Sequence, residues 1–176
     1  MTRIAAVQPI PTGRLGMYET AVIGSAAPAP ASIGRDLRAY VELPVDAETV
    51  RAARELAVAL SALWRLRTSA DSTRLVVSEL VTNAVVAVVR AEAAGAEMGD
   101  SVVVFAMAAT PEGGAQLDVW DPVATDQALK AVLPGEDAED GRGLYLVGAL
   151  SESWGEVSVP VGTQVRARLA PILTAA

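Results

Sequence analysis

The chain has 176 residues and a formal net charge of -7, and it contains no cysteine and no histidine. This length suits one domain with a smaller appendage. The acidic balance leaves no broad basic face for a phosphate backbone, so direct nucleic-acid binding is not expected. The two missing residue types exclude disulfides, thiolate nucleophiles, imidazole metal sites, Ser-His-Asp triads and a phosphorylated histidine.

The N-terminal part of the chain is rich in residues that interrupt regular structure. Prolines and glycines recur throughout residues 1–35, with an Ala-Pro-Ala-Pro-Ala run at 27–31. Such spacing opposes both helices and central strands, so we predict an irregular extension with one short edge strand at 18–23. The domain proper is then expected over residues 36–176.

Apolar runs in the sequence are short. The longest that stand out are residues 56–64 and 102–109, well below the roughly 18 residues that span a bilayer. Near the N-terminus, Pro9, Pro11 and Gly13 interrupt the apolar residues before a signal-like region can form. We therefore expect a cytoplasmic protein without a membrane contact.

The first half of the domain reads as one strand followed by two helices. Apolar and polar residues alternate over 37–43, which predicts a strand, and residues 47–66 repeat their apolar positions with helical spacing. Asp46 has the position and chemistry of a helix cap. A second, more apolar helix is predicted over residues 71–94, and Gly95 is suited to end it.

The second half of the domain supplies most of the sheet. A poorly periodic segment at residues 122–139, with the composition of a short helix at 126–132 and an acidic run at 135–140, is interpreted as a mobile cover. The other predicted elements are strands at 101–109, 116–121, 153–159 and 163–169 and a short helix at 144–150. The expected fold is α+β: a two-layer sandwich in which about three helices cover one face of a mixed, mainly antiparallel sheet of about five strands.

One polar pair interrupts the apolar second helix. Glu79 and Asn83 are four residues apart, so they lie on one face of a helix, one turn above the other. A carboxamide oxygen there can bind a hard cation such as Mg²⁺, while the carboxylate orients or deprotonates a nucleophile, a combination suited to phosphoryl transfer. The same spacing is also common as a solvated pair, so later motifs must decide between the two interpretations.

Two such motifs follow downstream. Asp121 ends the strand at 116–121, and the triplet Gly141-Arg142-Gly143 leads into the short helix at 144–150. Glycines at a helix N-terminus let backbone amides approach a phosphate, which the helix dipole also favours. Each motif alone is weak, because most Gly-x-Gly triplets are only turns.

The order of these parts resembles the Bergerat-fold (GHKL) ATP-binding superfamily. Within it, residues 78–84, 141–147 and 149–155 look like the anti-sigma-factor serine/threonine kinase-like regulators that are abundant in actinobacteria. The resemblance covers about residues 38–170 and rests on four separated motifs in the right order.

The resemblance implies a role for each matching residue. Asn83 is the implied magnesium ligand and Glu79 the general base or water-orienting carboxylate. Asp121 would accept a hydrogen bond from the adenine amino group, and Thr163, after Gly162, would support the adenine side of the site.

The phosphate side is implied by the second glycine motif. The amides around Gly141, Gly143 and Leu144 would line the triphosphate, with Arg142 as an added cation. The implied cofactors are ATP and Mg²⁺, and the implied reaction transfers the γ-phosphoryl group to a serine or threonine of an anti-anti-sigma (STAS-type) partner. A sigma factor would be the other partner, and a homodimer is plausible by analogy.

Some positions depart from the family pattern. Pro122 and Val123 stand where glycines usually follow the aspartate, Val86 and Ala87 stand where Arg-His is often found, and Gln164 replaces a common lysine. These differences leave a second interpretation open: an interaction module of the same fold, with weak or no catalysis, that sequesters a sigma factor or another regulator. A sensor histidine kinase fits poorly because the chain has no histidine.

Overall fold

The structure is a computed structural model that describes residues 37–97, 101–124 and 142–172. Within those ranges the chain forms five strands and three helices. In chain order the elements are β1 (Arg38–Pro44), α1 (Thr49–Leu63), α2 (Ala70–Ala93), β2 (Val102–Ala109), β3 (Ala115–Asp121), α3 (Arg142–Leu150), β4 (Ser153–Val157) and β5 (Thr163–Leu169). The predicted edge strand at 18–23, the N-terminal extension and the predicted helix at 126–132 lie outside the described residues.

The described strands form a single sheet in the order β1-β2-β3-β5-β4. Every pair of neighbours is antiparallel, so the parallel component implied by a mixed sheet is not found among these strands. The predicted α+β fold is confirmed, and β5 has the predicted bounds of 163–169.

The core lies between one face of the sheet and the helices. Inward-facing residues of four strands form a continuous row through the cross-strand pairs Val41, Phe105, Val119 and Val165, and each is at most 9% exposed. This pattern follows from strand geometry, because alternate side chains point to the same face. Burial of the larger apolar cluster to which this row belongs, between the sheet and the helices, is the main favourable contribution to folding.

A buried threonine fixes the connection between β1 and α1. The Thr49 hydroxyl donates to the carbonyl of Pro44 and accepts from the Asp46 N–H at 3.0 Å. Asp46 was predicted to cap α1, but the cap residue is Glu48, whose own N–H donates to the Asp46 carboxylate at 2.8 Å. Asp46 therefore orders the turn before α1, and the helix is shorter at both ends than the predicted 47–66.

Helix α2 is the central helix of the domain. Ser69 caps its start by accepting from the Ser72 N–H at 3.2 Å, and Gly95, with φ of +89°, follows its end. Among the described helices α2 alone is long and apolar enough to cross a membrane: it has 24 residues, and its most apolar 18-residue window has a mean hydropathy of 1.5. In the structure it is a core helix. Its buried positions are Thr73, Val76, Val77, Leu80, Val81, Ala84 and Val88.

The sheet face opposite the helices carries a charged cluster that the sequence analysis did not identify. Asp118 is 7% exposed and accepts hydrogen bonds from Gln116 Nε2 at 2.9 Å, Gln164 Nε2 at 2.8 Å and Arg166 Nε at 2.8 Å. Because three donors surround this carboxylate, its charge is compensated although it is buried. The cluster joins β3 to β5.

We predict that Asp118→Ala lowers the free energy of unfolding by about 2 kcal/mol, because the buried Gln164 amide loses its acceptor and Arg166 loses its ion pair. Urea denaturation followed by circular dichroism measures this difference. Glu55→Ala is the matched control, since it removes a partner of the solvent-exposed Arg51–Glu55 pair. Equal effects of the two substitutions would contradict a stabilising role for the cluster.

Candidate functional site

Glu79 lies where α2 meets the first turn of α3. Its side chain is partly buried, and a Cβ atom placed on Gly143 would overlap Glu79 Oε2 and lie 3.2 Å from Cδ. The carboxylate therefore packs directly against the backbone of α3. Only glycine at position 143 permits this approach without moving the carboxylate.

Asn83 lies one turn after Glu79 on α2. Its side chain is exposed, whereas that of Glu79 is partly buried, so only Glu79 of the polar pair is turned partly into the protein. Val86 and Ala87 follow as partly buried residues, which ends the polar stripe after one turn. An exposed carboxamide at this position can supply an oxygen ligand to a cation that arrives with a ligand.

The start of α3 differs from its prediction. The helix begins at Arg142, two residues before the predicted start, so Gly143 lies inside its first turn. Leu144 is 8% exposed and its side chain belongs to the core, which leaves only its backbone for a role in binding. Gly141 and the side chain of Arg142 lie outside the described part of the structure, so their predicted roles stay predictions.

Asp121 ends β3 on the face that the helices cover. It is 6% exposed, and its Oδ1 accepts a hydrogen bond from the Val123 N–H at 2.9 Å. Burial raises the pKa of Asp121 to about 6, because it disfavours the charged form more than the Val123 N–H stabilises it. A buried carboxyl with a raised pKa is a frequent feature of binding and catalytic sites.

Thr163 is the cross-strand neighbour of Asp121 at the start of β5. Its hydroxyl donates to the Val123 carbonyl at 2.7 Å. Val123 thus bonds to both residues, with its N–H to Asp121 and its C=O to Thr163. In the sequence Val123 stands out only as a residue in place of a glycine, but an aspartate two residues before it is a known signal for a side-chain turn.

The structure therefore groups the predicted residues into two sets. Glu79 and Gly143 lie at the junction of α2 and α3, with Asn83 one turn further along α2, and Asp121 and Thr163 lie at the adjoining ends of β3 and β5. The first set combines an exposed oxygen ligand, a carboxylate and a glycine at a helix start, which fits a metal-bound phosphate chain. The second set offers a buried acceptor, which fits an exocyclic amine such as that of adenine.

We predict that Asp121→Asn raises stability above about pH 7 by about 1–3 kcal/mol. The pKa of about 6 in the folded chain, against 3.8 for the free group, means that the folded chain holds this proton more tightly. The resulting stabilisation is complete below pH 3.8 and is lost as the pH rises through about 6. Asparagine keeps the acceptor for Val123 without a charge.

The measurement is chemical denaturation of the wild type and the variant from about pH 4 to about pH 8. The difference in unfolding free energy between the two should grow with pH. Asp71→Asn, at an exposed carboxyl, is the matched control. A difference that does not change with pH would contradict the burial argument for Asp121.

One known protein family matches most of the chain. The family described as the histidine kinase-like ATPase domain matches residues 43–169, from the end of β1 to the end of β5. No curated protein matches the chain at a significant level. The family match covers more than half of the chain and includes Glu79, Asn83, Asp121, Gly143 and Thr163. The chain belongs to the histidine kinase-like ATPase domain family, the GHKL type, and this membership implies that it binds ATP.

Proposed function

We propose that the protein is an ATP-dependent serine/threonine kinase of the anti-sigma-factor type, acting in the cytoplasm. The observation that carries the proposal is the contact between the Glu79 carboxylate and the α3 backbone at Gly143. It brings a candidate general base to the start of the helix whose amides would face the phosphates. Family membership supports ATP binding, whereas the kinase activity is our proposal and goes beyond what family membership implies.

In the proposed reaction Glu79 accepts the proton of a serine or threonine hydroxyl. The hydroxyl oxygen forms a bond to the γ-phosphorus as the bond to the β,γ-bridging oxygen breaks, and ADP leaves. Mg²⁺, when bound, would neutralise charge on the phosphates, with Asn83 as its ligand from the protein. Glu79 and Asn83 project from the same helix, so their relative positions are fixed by one rigid element.

The adenine base and the phosphates of ATP would be held at opposite ends of the site. Asp121, once ionised, would accept from the adenine amino group with the oxygen that does not bind Val123. The amides of residues 141–144 would bind the phosphates, and Arg142 would add a positive charge. A site of this kind positions the reacting groups and leaves the chemistry to the nucleotide and the metal.

The proposed phosphoryl acceptor is a STAS-type anti-anti-sigma protein, and the proposed target of sequestration is a sigma factor. These partners rest on the resemblance of residues 78–84 and 141–155 to anti-sigma-factor kinases. We propose no direct contact with nucleic acid, in keeping with the net charge of -7, and none with a membrane. We also propose that the protein forms a homodimer.

A second candidate function is an interaction module that binds nucleotide without transferring phosphate. It is favoured by the closed turn after Asp121, where Val123 occupies one carboxylate oxygen and Pro122 replaces a flexible glycine. Such a site would bind ATP more weakly than a glycine-rich one. The two candidates differ in phosphoryl transfer and agree in fold.

We predict that wild-type protein binds Mg-ATP and that Asn83→Ala weakens binding about tenfold or more in the presence of Mg²⁺, because a metal ligand is lost. Isothermal titration calorimetry, run with Mg²⁺ and with EDTA, measures the effect, which should largely disappear in EDTA. Thr82→Ala is the matched control, since Thr82 is an exposed neighbour on α2. Wild-type protein that shows no heat with Mg-ATP would overturn the proposed function.

Transfer itself is tested with radiolabelled ATP and purified STAS-type proteins from the same organism. Glu79→Gln should still bind Mg-ATP but transfer phosphate at least about a hundredfold more slowly, because the amide cannot accept the proton. Binding without any transfer by the wild type would favour the second candidate.

We further predict that Gly143→Ala leaves thermal stability nearly unchanged but reduces phosphoryl transfer about tenfold or more. Alanine is a better helix former than glycine, and its methyl group would push away only the flexible end of Glu79. Gly155→Ala is the control, because a Cβ there meets no atom within 4 Å. Unchanged transfer by Gly143→Ala would mean that the position of the carboxylate is not important.

A further inference from the structure

Strand β2 is apolar on both of its faces. Val103, Phe105 and Met107 point to the helices and are buried in the core. The residues that point to the opposite, outer face are partly buried and are also all apolar: Val102, Val104, Ala106 and Ala108. A strand with one face in water alternates apolar and polar residues, whereas a strand covered on both faces is apolar throughout. None of the three described helices lies on the outer face, so another segment is expected to cover it.

The outer side of β2 forms a trough with a floor of small apolar side chains. In the strand register Ala106 lies between Tyr40 of β1 and Asp118 of β3. The next outward residue of β2, Val104, is paired with Trp120 of β3. An apolar floor between two aromatic side chains is the kind of surface on which proline-rich segments bind.

Charge at this trough is confined to its sides. Asp118 already accepts hydrogen bonds from three donors, and Arg38 and Glu42 of the edge strand β1 are exposed to solvent. A charged segment lying on the apolar floor would lose hydration without compensation. The trough therefore suits an occupant without charge.

The chain carries such a segment shortly before β1, in the part that lies outside the described residues. Residues 20–34 contain no charged side chain and include the Ala-Pro-Ala-Pro-Ala run at 27–31. Closely spaced prolines favour the polyproline II conformation, in which a segment of this length would extend by about 45 Å. Strand β2, with 8 residues, is about 26 Å long. The segment is therefore long enough to follow the whole trough.

We propose that residues 20–34 bind in the outer trough of β2 of the same chain, with their prolines between Tyr40 and Trp120. The segment is joined to β1 by only a few residues, which gives it an effective concentration in the millimolar range and favours it over a second copy. Because Glu79 and Asp121 lie on the helix side of the sheet, this inference does not depend on the proposed function.

The test uses the full chain with one nitroxide spin label. Because the natural chain has no cysteine, Ala29→Cys provides a single attachment point within the Ala-Pro run. The label broadens the NMR signals of backbone amides that lie near it. We expect the amides of residues 104–108 to lose most of their intensity, and those of the exposed side of α1 to keep theirs. Ala52→Cys, labelled on that side of α1, is the matched control and should leave the amides of residues 20–34 unchanged.

A second variant tests the apolar floor of the trough. Ala106→Glu places a carboxylate under the segment, which should release it because the charge would otherwise lose its hydration. Thermolysin should then cleave the full chain within residues 20–34 about tenfold faster or more than in the wild type. Ala52→Glu, at an exposed position of α1, is the matched control and should leave the cleavage rate unchanged.

The inference is overturned if the label at position 29 broadens no amide of β2, or broadens the sheet and α1 equally. It is also overturned if a mixture of isotope-labelled chain and separate spin-labelled chain shows the same broadening, since a second copy would then supply the segment. Equal cleavage of Ala106→Glu and Ala52→Glu would contradict it as well. If Ala106→Glu does not fold, the spin-label measurement, which leaves the trough unaltered, still decides.

Discussion

The close approach of α2 to the start of α3 is the contact on which the proposed chemistry depends. The Glu79 carboxylate lies so near the α3 backbone that any side chain at position 143 would displace it. This places a negative charge at a helix N-terminus, where the helix dipole favours it. A phosphate of a bound nucleotide would be stabilised at the same helix end. The phosphate and Glu79 would then repel each other, and a cation beside Asn83 would reduce this repulsion.

The other end of the site shows the usual conflict between stability and binding. Burial of Asp121 raises its pKa to about 6, which means that its ionised form disfavours folding near neutral pH. On the opposite face of the sheet, Asp118 is buried with three hydrogen-bond donors around its carboxylate. Two aspartates three positions apart on one strand thus serve different purposes because they face opposite sides.

Local patterns in the sequence were sufficient for most of the architecture. Alternation predicted β5 over 163–169, and spacing placed Glu79 and Asn83 on one face of α2. Contacts between residues that are far apart in the sequence could not be predicted from local patterns. The meeting of Asp121 with Thr163, and hence the two hydrogen bonds of Val123, needs the β3–β5 register. The contact of Glu79 with Gly143 depends on how α3 packs against α2.

The most direct test of the nucleotide site is a crystal structure of the full chain with Mg²⁺ and a non-hydrolysable ATP analogue. The account predicts the adenine amino group within hydrogen-bond distance of the Asp121 oxygen that does not accept from Val123. It also predicts the metal bound to Asn83 and the γ-phosphate beside Glu79 at the start of α3. A nucleotide bound elsewhere, or one whose phosphates lie away from the junction of α2 and α3, would contradict the account.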